Sequence, residues 1–198
     1  MQYRKFGNLE WKPSALGFGA MRLPMIEGAK DDSEVDEKAA IDLMRRTVDK
    51  GINYIDSAYI YHGGLSEVFV GKALKDGYRK KVKTATKCPV GRLKSPEDYN
   101  KFLDEQLKRL DDDFIDFYLF HGLGTGGWGD VKQFDLLNMA EKAKKAGKIG
   151  HIGFSFHDKY EVFKEIIDGY DKWEYCQIQY NYICLLYTSD AADEEDSV

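Results

Sequence analysis

Residues 113–122 read DFIDFYLFHG. Ile115, Phe117 and Leu119 occupy one alternation of this run, and Phe114, Tyr118 and Phe120 occupy the other. A strand that is apolar on both faces belongs to a sheet covered on both sides, as in parallel sheets with helices packed against them. The run ends in a polar residue, His121, followed by Gly122. Two earlier runs repeat the arrangement. Residues 82–87, VKTATK, end in Lys87, and residues 52–57, INYIDS, carry Asp56 next to their end, with Tyr61 in the loop beyond. Further strands are expected at 15–19 (ALGFG), 149–156 and 175–182.

Helical patterns fill the gaps. The clearest is 96–110, where Ser95 suits the N-cap, Pro96 the first helical position, and Tyr99, Phe102, Leu103, Leu107 and Leu110 form one apolar face. Others are expected at 37–50 (Ile41, Met44 and Val48 inward, Gly51 at the end), 66–75, 132–146 and 159–168. Residues 2–6 and 10–12 flank Gly7 and Asn8 as a short hairpin ahead of the main fold. Strand starts recur roughly thirty residues apart, the size of a βαβ unit. The first helix does not open with the G-x-G-x-x-G turn of a dinucleotide-binding domain. The glycine-rich run GLGTGGWGD (122–130) matches a phosphate loop weakly and is read as a flexible βα loop. Polar residues at strand ends favour an α/β fold of the (β/α)8 TIM-barrel type. That barrel is incomplete: an N-terminal hairpin and about six strands, over residues 1–183. Residues 184–198 (CLLYTSDAADEEDSV) are acidic and rich in small residues, and are expected to be disordered or foreign to the barrel.

Composition narrows the partners. The chain has 198 residues, 43% hydrophobic and 32% charged, with a net charge of −5. That balance argues against nucleic acid or an anionic membrane surface as the main partner. No apolar run is long enough to span a bilayer, and the N-terminus has no signal-peptide pattern, so a cytoplasmic location is expected. Three cysteines, Cys88, Cys176 and Cys184, form no C-x-x-C motif and fit reduced thiols. No metal site is expected, and oligomeric state is not legible.

In a parallel barrel, Asp56, Tyr61, Lys87 and His121 converge on the mouth at the C-terminal strand ends. A lysine ammonium buried there is costly unless paired, and Asp56 on the adjacent strand is its natural partner. A fixed cation beside Tyr61 favours the phenolate and makes the phenol a usable general acid. His121 can hydrogen-bond the same carbonyl oxygen. None of the four supplies a hydride, so a nicotinamide cofactor is required.

The runs GINYIDSAYIYHGGLSE, TATK, IDFYLFHG, GFS and QIQYN resemble those of the aldo-keto reductases over nearly the whole chain. The resemblance implies a catalytic tetrad of Asp56, Tyr61, Lys87 and His121, and reversible reduction of a small-molecule aldehyde or ketone to an alcohol by NADPH or NADH. It also implies cofactor contacts from Ser155 and Gln177 to the nicotinamide carboxamide, from Asp56, and from the backbone of Ala20 and Met21. The family commonly has Asn where Phe156 stands here. YRKFG, HGGLSE, GFSFH and QIQYNY look most like a bacterial and archaeal subgroup whose members often carry a C-terminal ferredoxin-like segment with a [4Fe–4S] cluster; in this protein such a segment would lie beyond residue 198. Family members continue for two more βα units, which bind the cofactor's pyrophosphate and adenosine end. The 198-residue chain alone is therefore expected to be poorly soluble or partly unfolded and inactive. The competing readings are a cofactor-binding module without turnover, a metal-dependent barrel hydrolase using His62, His121 and His157, and a Schiff-base lyase using Lys87.

Overall fold

The computed structural model describes residues 1–179. Its frame is a six-stranded, wholly parallel sheet in sequence order: β1 (Phe18–Gly19), β2 (Tyr54–Asp56), β3 (Lys83–Cys88), β4 (Ile115–Leu123), β5 (Ile149–Phe156) and β6 (Tyr175–Ile178). The intervening helices are α1 (Glu37–Asp49), α2 (Ser66–Ala73), α3 (Asp98–Leu110), α4 (Thr125–Gln133), α5 (Leu136–Lys145) and α6 (Tyr160–Asp168). The sheet is curled. The Phe117 ring of β4 lies 5.7 Å from Tyr54 of β2 and 5.0 Å from Tyr175 of β6, which only strands wrapped around a common interior allow. This is the six-stranded part of an incomplete (β/α)8 barrel.

Amphipathic patterning explains the helix layer. Met44 and Val48 of α1 are buried as their spacing requires, with Ala40 joining them while Ile41 sits at the margin. Asp36 caps α1 by accepting from the Ala39 N–H, and Gly51 follows its end at φ +97°, a conformation costly for any residue with a Cβ. The α3 helix begins two residues later than its Ser-Pro signature suggests. The Asp98 carboxylate accepts from the Lys94 and Ser95 N–H groups, which holds 94–97 in a turn ahead of the helix.

The N-terminal segment closes the bottom of the barrel. It is held by isolated antiparallel bridges, Tyr3 to Ser14 and Phe6 to Leu9, rather than by extended strands. Phe6 and Trp11 pack on Phe117, Tyr54 and Tyr175 at centroid distances of 5.4–6.2 Å. The apolar pile fills the interior beneath the strand C-termini and leaves the polar groups at the opposite mouth.

One expectation fails outright. The glycine-rich run after β4 is not a flexible loop: Thr125–Gln133 is helical, and a break at Asp135 (φ +51°) separates it from α5. The reason is tertiary. The Asp158 carboxylate accepts from both the backbone N–H and the hydroxyl of Thr125, and Trp128 and Val131 are buried beneath the helix. The strand expected at 175–182 is seen over Tyr175–Ile178; from residue 180 onward it lies outside the described residues.

Candidate active site

Parallel pairing puts Asp56 opposite Ala85 on β3, and Lys87 opposite Leu119 on β4, so their side chains meet at the barrel mouth. Lys87 is only 2% exposed. Its Nζ donates to Asp56 Oδ2 at 2.7 Å, to the Ser57 carbonyl at 2.6 Å and to the Tyr61 hydroxyl at 3.4 Å. The three interactions use the three donors of one ammonium. Burial pushes the Asp56 carboxyl above the ordinary carboxylate range, and the adjacent Lys87 ammonium opposes that push. Asp56 Oδ1 is buried without a hydrogen-bond partner, although Gln177 approaches closely enough to favour the ionised carboxylate.

The Tyr61 and His121 rings meet edge to face, with centroids 5.9 Å apart. Burial, the Lys87 cation and His157 together bring the His121 pKa down to about 4. The imidazole is therefore neutral near pH 7, with one N–H to donate. A cavity of about 230 Å3 opens here, lined by Tyr61, Lys87, His121, Ser155, His157 and Gln177 among others. Four side chains expected to converge do so.

The cofactor candidates divide. Ser155 and Gln177 are register partners on β5 and β6 and both line the cavity. Ala20 does not line it. Its N–H donates to the Asp56 carbonyl and its own carbonyl accepts from the Ser66 hydroxyl, so its backbone ties β1 to β2 and α2. Met21, just beyond, is half exposed. Phe156 faces the helix layer against Phe154 and Phe163.

Sequence reasoning missed how the Tyr61 loop is held. His62, with a left-handed backbone (φ +52°), accepts the Leu23 N–H at Nε2 and donates from Nδ1 to the Asp32 carbonyl. Behind β3, the buried Glu67 carboxylate accepts from Thr86 Oγ1 and Gln106 Nε2, and Arg109 reaches both Glu67 and the Tyr59 carbonyl. Gln106 also donates to the Lys87 carbonyl. One signal existed: Gln106 sits on the apolar face of α3, a polar residue at a core position.

His121 makes one contribution to the pH dependence of stability, opposite in sign to those of the buried Asp56 and Glu67, whose carboxyls burial pushes up. The unfolded imidazole takes up a proton near its ordinary pKa of 6.5, and the folded one only near 4. The folded state then binds fewer protons between these values, so stability falls as pH drops from 6.5 towards 4. The group's share of that loss is roughly 2–3 kcal/mol. In urea melts, the stability of His121→Asn relative to the parent is expected to rise by about that much between pH 7 and pH 4.5.

The six-stranded part-barrel thus places a lysine, a carboxylate, a phenol and an imidazole together at the C-terminal ends of its parallel strands. The aldo/keto reductase family model matches residues 15–195, and the chain belongs to that family. It is 35% identical over 140 residues to L-galactose dehydrogenase of Arabidopsis thaliana, a match covering 66% of this chain and 41% of the relative. It superposes on an aldo-keto reductase from Bacillus halodurans (holo form) with a TM-score of 0.73 at 30% identity, covering 91% of this chain and 58% of that one. A Klebsiella pneumoniae aldo-keto reductase in complex with NADPH matches with a TM-score of 0.69 at 25% identity, covering 86% of this chain and 55% of that one. The chain thus spans under two thirds of the length of each of these proteins.

Proposed function

We propose that this chain carries the proton-donating part of a nicotinamide-dependent carbonyl reductase, in which an aldehyde or ketone becomes an alcohol. The observation that carries the reading is the Tyr61 hydroxyl 3.4 Å from the Lys87 ammonium, with Asp56 2.7 Å behind it. The cavity is ring-sized, below the roughly 300–1,000 Å3 of pockets that enclose whole drug-sized ligands. The residues present fit a nicotinamide. Ser155 has a hydroxyl proton to donate and Gln177 an amide, both on the cavity wall, with the Asp56 carboxylate just behind beside Gln177. When bound, the nicotinamide supplies the hydride.

Each residue then has one task. His121, neutral, donates a hydrogen bond to the substrate oxygen and fixes its position. Tyr61 gives its proton to that oxygen as negative charge develops there. Lys87 stabilises the phenolate left behind, and Asp56 keeps Lys87 charged. Met21 contributes at most a backbone contact, and Ala20 only holds the strand end. Reduced cysteines, a cytoplasmic location and a small-molecule carbonyl partner belong to the same proposal, as does a barrel portion over residues 1–183 with 184–198 outside it. The described cysteines do not fit a [4Fe–4S] cluster, since Cys88 is buried in the core and Cys176 lies apart on β6. No step here passes through one.

The rival readings meet specific obstacles. Both ring nitrogens of His62 are already engaged, which removes it as a metal ligand. Among the described residues no three His, Cys, Asp or Glu side chains group as a metal site. A Schiff-base lysine must attack as the free amine, whereas Lys87 spends its protons on three acceptors. The test is NADPH oxidation with a panel of aldehydes and ketones, with and without EDTA. The gene product extended to the length of its relatives is expected to turn over regardless of EDTA. The 198-residue chain alone is expected neither to turn over nor to bind NADPH at micromolar concentration. NADPH binding by the extended protein without turnover of any carbonyl identifies the silent module instead.

A further inference from the structure

Strands β4 and β5 do not pair evenly. Phe120 stands opposite Phe154, and Leu123 opposite Phe156, so His121 and Gly122 together face the single residue Ser155. Two residues against one is a β-bulge, a device that re-aims a side chain and ends regular pairing. Gly122 has φ +60°, and a Cβ added there would meet nothing within 4 Å. Glycine is needed for its backbone conformation, not for space. The Gly122 N–H, turned out of the ladder by the bulge, donates to Ser155 Oγ at 2.7 Å. Ser155 is itself only 6% exposed.

We propose that Ser155 is a positioning residue for His121: by accepting the Gly122 N–H it locks the bulge that turns the imidazole into the cavity beside Tyr61. A hydroxyl has one donor and two acceptor sites, so this role leaves its proton free for the cofactor contact. The proposal rests on the carbonyl-reductase reading for its catalytic consequence but not for its geometry. The groups facing the imidazole are Tyr61 on its loop, the Lys87 ammonium from β3 and His157 after β5. A relaxed bulge releases His121 from these neighbours and from burial.

The experiment is an NMR titration of the imidazole resonances of the extended protein, with His121 assigned by His121→Asn. In the parent protein His121 is expected to titrate near 4. Ser155→Ala raises that midpoint by at least one pH unit, and Ser155→Thr, which keeps the hydroxyl, restores it. Gly122→Val keeps Ser155 intact and behaves like Ser155→Ala, because a β-branched residue resists the left-handed conformation, whereas Gly122→Asn tolerates it. In the extended protein Gly122→Val lowers kcat by roughly ten- to hundredfold, and because Gly122 also lines the cavity, Gly122→Asn is the control for added bulk there. A parental His121 midpoint in folded Ser155→Ala or folded Gly122→Val overturns the proposal. A shifted midpoint with unaltered kcat supports the positioning role and removes His121 from the reaction. Loss of turnover in Ser155→Ala with no shift assigns Ser155 to the cofactor alone and overturns the positioning role.

Discussion

Tyr61→Phe is expected to lower kcat for carbonyl reduction by roughly 10²–10⁴-fold, the usual worth of a general acid. The substitution removes one oxygen and little else. The ring that lies edge-on to His121 remains, as does its face 5.0 Å from the Lys87 ammonium. NADPH affinity and the melting curve should therefore match the parent. Comparing kcat, cofactor Kd and melt in the extended protein separates loss of the proton from loss of the fold. A variant retaining kcat within a few-fold would mean that the substrate oxygen takes its proton elsewhere, and the assignment of Tyr61 would have to be abandoned.

Lys87→Met is expected to abolish turnover and also to destabilise the protein, by about 3–5 kcal/mol, the cost of breaking a buried ion pair on one side. Methionine replaces the stem volume well. It cannot replace the charge, and Asp56 is left buried with one oxygen already unpaired. The double substitution Lys87→Met/Asp56→Asn removes the stranded carboxylate and should recover most of the lost stability without recovering activity. Urea melts of the two single variants and the double variant measure this coupling. If Lys87→Met melts like the parent, the ion pair carries no structural weight, and Lys87 matters only to the neighbouring phenol.

These residues were legible in the sequence because strand periodicity fixes which ends face the mouth. A strand apolar on both faces, ending in one polar residue, declares both its burial and the direction of that residue, as DFIDFYLFHG did for His121; VKTATK, mixed in polarity, was read as a strand from its β-branched residues and its place in the alternation, with Lys87 at its end. The β5 strand also fell at its expected bounds. What stayed hidden depends on contacts between distant residues. The helix in the glycine-rich run needs Asp158, over thirty residues away, at its start. The bulge at His121 and Gly122 needs a hydroxyl from the next strand. The Glu67, Gln106 and Arg109 network joins α2 and α3 behind Lys87, and nothing local marks it except a glutamine on an apolar face.

Every strand of this sheet after β1 pairs with its immediate predecessor in the sequence. Asp56, Tyr61 and Lys87 draw only on β2, the loop beyond it and β3, and need nothing from the later strands to meet, whereas His121 is set by a bulge paired to β5. Synthesis on the ribosome therefore delivers the acid, the amine and the phenol in an order that lets them meet while downstream codons are still being read. Ser155 and Gln177, on β5 and β6, emerge afterwards, and with Ser155 comes the hydroxyl that meets the bulge at His121 and Gly122.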